Sequence, residues 1–221
     1  MAIVITVAQQ KGGAGKSTIS AHLAVAFSQK TNRVALIDID PQGSTTHWYN
    51  IRESKFGEGY TGLTFAKANG LRLGNEIARL RANHDIIIVD SPPHVEAESR
   101  AAIRAADIVI VPVQPSPTDV WAMSATIDIC NRENKTFRVL LNRYTPGSKI
   151  AKELDSSIPE ERLTAHFGNR VVFASSMVNG RCVTESDPTS TAAEEVKAVI
   201  AEIDTILIQE GLKQEILEEA V

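Results

Sequence analysis

Apolar positions along this chain fall into short unbroken runs separated by stretches with helical spacing. Residues 1–8 form such a run, β-branched and apolar until Gln9-Gln10-Lys11-Gly12-Gly13 interrupts it, and read as a buried strand ending in a glycine loop. Over 16–29, Ile19, Leu23, Ala24, Ala26 and Phe27 recur at helical spacing. The runs at 34–37, 85–90, 108–113 and 137–141 read as further buried strands, and 170–173 as a shorter one. Helices are expected over 71–81, where Leu73, Ile77 and Leu80 share a face, over 95–106 and over 118–130. A final helix is expected from 191 to 209, with Thr191 and Glu194 at capping-box spacing. Between the second strand and residue 70 the pattern is poor, with Gly57, Gly59, Gly62 and Gly70, and reads as helix or loop. Strands that are apolar throughout and alternate with helices imply a three-layer α/β fold, its mainly parallel sheet covered by helices on both faces. Ligands in such folds sit beyond the carboxyl ends of the strands, so the chemistry is sought just after each one.

Length, composition and charge narrow the picture only a little. At 221 residues and 43% hydrophobic content, one domain over 1–221 is expected, and no internal repeat is visible. The longest apolar runs are strand-length, and the first residues lack a basic start and a cleavage site, so a cytoplasmic protein is expected. Cys130 and Cys182 lie far apart, without the spacing of a zinc site, and read as inert thiols. Charge is uneven: residues 1–131 carry twelve basic and twelve acidic groups, 132–181 nine and five, and 182–221 two and ten. A basic middle and an acidic tail, about 210–221, follow from this count, but charge alone does not separate a solvated face from a DNA patch.

The strongest chemistry lies at Gly12-Gly13-Ala14-Gly15-Lys16-Ser17, between the first strand and the first helix. Glycines there let backbone N–H groups converge on an anion, and the helix dipole adds positive potential. Lys16 would reach the β- and γ-phosphates and the Ser17 hydroxyl would bind Mg²⁺. The common G-x-x-x-x-G-K-[ST] pattern is not met in full, because its first glycine is replaced by Gln10 or Lys11, and G-x-G-x-x-G fails at Thr18.

Lys11-Gly12-Gly13-Ala14-Gly15-Lys16-Ser17-Thr18 resembles the deviant Walker A loop, K-G-G-x-x-K-[ST], of the ParA/MinD superfamily of ATPases, on the P-loop NTPase fold. In that family the extra lysine, here Lys11, reaches across a dimer interface to the partner's ATP, so the resemblance implies an ATP-dependent homodimer. Ile37-Asp38-Ile39-Asp40-Pro41-Gln42 is similar to the family's D-x-D-P-Q segment. By that resemblance Asp40 positions the attacking water and Asp38 supports the Mg²⁺ shell or the loop. Ile86-Ile87-Ile88-Val89-Asp90 has the Walker B form, with Asp90 holding Mg²⁺ through water, and Ser91-Pro92-Pro93 follows as in the family. Lys11, Lys16, Mg²⁺ and Asp40 would together position and neutralise phosphoryl transfer to water, with slow turnover raised by a partner protein.

The resemblance extends almost end to end. The proline-rich segment at 111–119, with Pro115, resembles a loop near the adenine and the dimer interface in short ParA proteins, and Leu141-Asn142-Arg143-Tyr144 resembles a segment whose asparagine reads adenine. Asn142 is therefore the adenine candidate. Asn169-Arg170-Val171-Val172-Phe173 with Gly180 and Val183-Thr184-Glu185 resembles the family's C-terminal segment. Basic groups around it form the DNA face of ParA dimers, which makes Lys149, Lys152, Arg170 and Arg181 candidate contacts to the phosphates of non-specific duplex DNA.

These resemblances imply a protein that partitions a plasmid or chromosome, or positions another cargo, with a ParB-like or cargo adaptor and with nucleoid association in the ATP state. Longer plasmid ParA proteins carry an N-terminal helix-turn-helix domain; here the first strand begins at residue 2, so operator reading is not expected. A MinD-like membrane ATPase shares every nucleotide motif, but its membrane helix is basic, whereas 208–221 holds Glu210, Glu215, Glu218 and Glu219 against Lys213. Small-molecule ligases and kinases on the same fold stay open as an alternative.

Overall fold

The computed structural model describes all residues except Met1, Thr31, Asn32, Glu58, Tyr60, His94, Val95 and 214–221. Most of the acidic tail lies outside the described residues. Six parallel strands, β1 (Ile3–Val7), β2 (Val34–Asp38), β3 (Thr64–Lys67), β4 (Ile86–Asp90), β5 (Ile108–Val113) and β6 (Thr136–Leu141), form one sheet in the order β3-β2-β4-β1-β5-β6. Between them run α1 (Lys16–Ser28), α2 (Ser44–Phe56), α3 (Leu73–Arg81), α4 (Glu96–Ala105) and α5 (Pro117–Arg132). After β6 come α6 (Lys149–Leu154), α7 (Val172–Met177), α8 (Val183–Ser186) and α9 (Thr191–Gln209).

Side-chain alternation divides the core. Ile3, Ile5 and Val7 of β1 with Ile86 and Ile88 of β4 face α1 and α9, whereas Val4, Ile87 and Val89 face α3 and α4. Val109, Val111 and Val139 complete the second face beneath α5. Burial on both faces explains why the strands lack polar alternation. The chain crosses at β1, between β4 and β5, so the loop after β1 lies at the centre of the carboxyl edge.

The weak region is helix α2 followed by edge strand β3. In α2 the buried side chains are Thr45, Trp48 and Arg52, of which only Trp48 is apolar, and β3 buries Ala66 alone. Residues 170–173 do not form a strand: Val171 is 83% exposed and α7 starts at Val172, where Phe173 stacks on Phe167 at 4.8 Å. The start of α9 also differs, since Ser190 is the cap and its hydroxyl accepts the Ala193 N–H at 3.2 Å. No helix among the described residues is long and apolar enough to cross a membrane.

Candidate nucleotide site

Residues 8–15 turn from β1 into α1 with Gly13 and Gly15 in the left-handed region, at φ 80° and 95°. At Gly15 a Cβ would lie 2.3 Å from Asn142 Nδ2, so only glycine fits there. No side chain caps α1, which leaves its first N–H groups aimed at the loop's concavity. Two side chains from the next strand ends brace the loop. Gln114 Nε2 donates to Gly13 O at 2.6 Å and Asn142 Nδ2 to Ala14 O at 2.8 Å. Behind it, the Thr126 hydroxyl of α5 donates to Gln9 Oε1 and accepts the Gln10 N–H.

The two lysines are held differently. Lys16 is buried and its ammonium folds back to Lys11 O at 3.3 Å. Burial lowers its pKa, while the charges of Asp90 and Asp40 pull it back up. Lys11 stands at the rim with its side chain 34% exposed, where Nζ donates to Thr118 Oγ1 at 2.9 Å and pairs with the Asp119 carboxylate on the first turn of α5.

Asp38 and Asp90 are register partners at the ends of β2 and β4. Asp38 accepts the Asp40 N–H at 2.9 Å on one oxygen, and the Thr46 N–H and hydroxyl at 2.8 and 2.6 Å on the other. With both oxygens so engaged, Asp38 organises the loop, and Ser17 and Asp90 are the better-placed metal candidates. Asp40 accepts the Gln42 N–H on Oδ1, and its Oδ2 accepts no hydrogen bond among the described residues. Asp90 is fully buried and meets the hydroxyls of Ser17, Ser20 at 3.2 Å and Thr45 at 3.2 Å. Burial pushes its carboxyl up to about 7; the Asp38 charge adds to this, while the Ser17 and Ser20 hydroxyls and the Lys16 ammonium oppose it. A buried carboxylate ringed by hydroxyls beside an anion seat is a hard oxygen set, suited to Mg²⁺.

A cleft of about 270 Å³ opens beside the loop, lined by Gly15, Thr18, Asn142, Arg143, Asn169 and Phe173 among others. Asn142 Oδ1 accepts the Arg143 N–H, and one Nδ2 hydrogen is used on Ala14, so the second hydrogen and the remaining Oδ1 lone pair are what Asn142 can offer a base. Pro115 does not line this cleft; its neighbour Gln114 touches the loop instead. Ser20, Thr45 and Thr46 escaped the sequence reading, because single hydroxyls carry no periodic signal; Gln114 and Asp119 fall within the 111–119 segment it singled out, without a role of their own. Both thiols are buried; burial drives Cys130 up to about 12 and Cys182 well above its usual value.

Of the candidate DNA contacts, Arg170 donates to Glu195 through Nε and an Nη at 3.0 and 2.8 Å, and Lys149 lies 3.7 Å from Glu153. Lys152 and Arg181 have no carboxylate within ion-pair distance among the described residues. Lys149 and Lys152 belong to α6, Arg170 precedes α7, and Arg181 precedes α8.

The model of the CobQ/CobB/MinD/ParA nucleotide binding domain matches residues 5–176, spanning the phosphate loop and both aspartate segments. The chain belongs to this family. Within the family it is similar to "Maintenance of carboxysome distribution protein A" of Halothiobacillus neapolitanus, 29% identical over 91% of this chain and 96% of the relative. It is also similar to "Chromosome-partitioning ATPase Soj" of Thermus thermophilus, 26% identical over 90% and 94%. Its fold matches apo McdA of Cyanothece at TM-score 0.76, 18% identity and coverage of 92% and 100%. Septum site-determining protein MinD of Pyrococcus horikoshii, complexed with Mg-ADP, matches at TM-score 0.79, 18% identity and coverage of 98% and 100%.

Proposed function

We propose that the chain is an ATP-driven switch: it binds ATP–Mg²⁺, pairs with a second copy of itself, binds duplex DNA non-specifically in that state, and resets by slow hydrolysis. The observation that carries this reading is the division of labour between the lysines. Lys16 is buried in the loop, while Lys11 waits at the rim on a contact that a second negative group could replace. A rim lysine pointing along its own surface adds little to a nucleotide in its own site, but it reaches a phosphate presented by a facing copy.

Lys16 and the first N–H groups of α1 would hold the phosphates, and Ser17 and Asp90 the Mg²⁺, which supplies charge neutralisation when bound. Asp40, with Oδ2 uncommitted, would orient the attacking water. Asp38 and Thr46 hold the loop that carries it. Charge neutralisation by Lys11 across the pair would couple hydrolysis to dimerisation. The roles that the relatives are named for, carboxysome distribution and chromosome partitioning, support cargo positioning or partition as the class of task, with an adaptor protein as partner.

The test is binding to non-specific duplex DNA and to anionic vesicles with no nucleotide, ADP and ATP–Mg²⁺, beside Lys11→Ala. DNA binding restricted to ATP–Mg²⁺ and absent in the variant is expected; ATP-dependent vesicle binding without DNA binding would replace this reading with a membrane-associated one.

A further inference from the structure

The inner face of α2 carries three buried side chains at helical spacing, Thr45, Trp48 and Arg52, and only the middle one is apolar. At the start of the helix the Thr45 hydroxyl donates to Asp90 Oδ2 at 3.2 Å, and the Thr46 N–H and hydroxyl engage Asp38. Two turns on, Arg52 donates to Gly180 O at 2.9 Å and to both Glu185 oxygens at 2.8 and 2.6 Å. Its guanidinium lies 5.6 Å from the Trp48 ring centre and 4.8 Å from that of Phe56, so α2 itself holds it in place.

No side chain caps the start of α2, and the residue before it, Gly43, takes a left-handed φ of 66°. The helix therefore owes its position to its inner face rather than to its own beginning. Its far end meets a fixed receiver. Cys182 and Val183 are fully buried in the core, Glu185 also accepts the Cys182 N–H at 3.0 Å, and Trp48 Nε1 donates to Arg181 O at 3.4 Å. At Gly180 a Cβ would meet the Arg52 backbone at 2.5 Å, so glycine lets the two segments touch. Gly180 and Glu185 are thus where the C-terminal motif meets α2.

We propose that Arg52, Gly180 and Glu185 are positioning residues for the Mg²⁺ and water aspartates: the clamp at one end of α2 sets where Thr45 and Thr46 stand at the other. This rests on the reading of Asp90 as the Mg²⁺ holder. A carboxylate that binds a metal is aimed by the groups hydrogen-bonded to it, and Thr45 is one of these for Asp90. At 3.2 Å that bond is already long for a hydroxyl on a carboxylate, so a small outward shift of α2 is enough to lose it. The paired guanidinium–carboxylate bonds of Arg52 and Glu185 fix direction as well as distance, as a strut requires.

The experiment measures the affinity of the full chain for a non-hydrolysable ATP analogue by calorimetry, with Mg²⁺ and with EDTA. It compares wild type, Thr45→Val, Glu185→Gln, Arg52→Lys and the Thr45→Val/Glu185→Gln double variant. The gain in affinity that Mg²⁺ gives is expected to fall about tenfold in Thr45→Val, as for groups behind a metal ligand, and about threefold in Glu185→Gln and Arg52→Lys, one contact further away. Affinity in EDTA is expected to stay at the wild-type value in both clamp variants, and the double variant to lose less than the product of the single losses. Equal losses with and without Mg²⁺, independent losses in the double variant, or an undiminished gain in both clamp variants would overturn the positioning role and leave Asp90 standing as the Mg²⁺ holder. A wild type in which Mg²⁺ adds no affinity would overturn both.

Discussion

Lys11 and Asp119 are paired within one chain, across the gap between the phosphate loop and the first turn of α5. Asp119 is buried, and its other oxygen has no hydrogen-bond partner among the described residues, so the carboxylate depends on the Lys11 ammonium and the Ser116 hydroxyl. A lysine that acts on a second copy must first leave this partner. Asp119→Asn keeps the shape and removes the charge, and is expected to favour the ATP-bound dimer by up to about fivefold, the ceiling for a partly exposed ion pair. Sedimentation across protein concentrations would register it; a weaker dimer in the variant would mean the contact supports assembly.

Gly15→Ala is expected to abolish nucleotide binding. The added Cβ meets Asn142 at 2.3 Å, at a φ of 95° that itself costs about 1–2 kcal/mol for a non-glycine residue. Calorimetric titration with a non-hydrolysable ATP analogue would reveal any affinity that survives.

Arg52 is a buried cation with Glu185 as its charge partner and two carbonyls as further acceptors. Arg52→Met leaves Glu185 and those carbonyls without it, and is expected to destabilise the chain by about 3–5 kcal/mol in urea unfolding. A loss below about 1 kcal/mol would show that α2 is not fastened to α8 through this pair.

His22 sits fully buried on α1 against Phe167 and Phe173, its Nδ1 donating to Thr18 O and its Nε2 without a hydrogen-bond partner among the described residues. Burial pushes its pKa down from 6.5 to about 4, against the pull of the Thr18 carbonyl and the Glu185 charge. The unfolded chain therefore takes up this proton first. The stability that neutral His22 contributes is complete above pH 6.5 and is lost as pH falls toward 4, about 3 kcal/mol in all. Asp90 acts in the opposite sense, since its raised pKa makes the folded state bind a proton first between about 7 and 3.8. The test is accordingly a difference: wild type should lose stability relative to His22→Leu between pH 6.5 and 4, and parallel curves would contradict the assignment.

Much of this molecule is legible in its sequence because burial on both sheet faces leaves unmistakable apolar runs, and because the phosphate loop concentrates its chemistry in consecutive residues. Helix α2 was not legible, since its buried positions Thr45 and Arg52 are polar and gain their place through Asp90 and Glu185, contacts far away in sequence. The strand expected at 170–173 failed for a related reason: Val171 and Val172 have strand propensity, but Phe173 turns inward to stack on Phe167, and the segment coils into α7. Asp119 at the rim of the site was likewise hidden, because its partner Lys11 lies over one hundred residues earlier, at a separation of 108.

The central claim is that Lys11 acts across a pair of chains. The most direct measurement is sedimentation of Asp40→Ala protein, in which the proposed hydrolysis would be blocked, with and without ATP–Mg²⁺, beside the same protein carrying Lys11→Ala. The account predicts a dimer in ATP–Mg²⁺ that disappears when Lys11 is removed while ATP still binds. A dimer that forms equally well without Lys11 would contradict it.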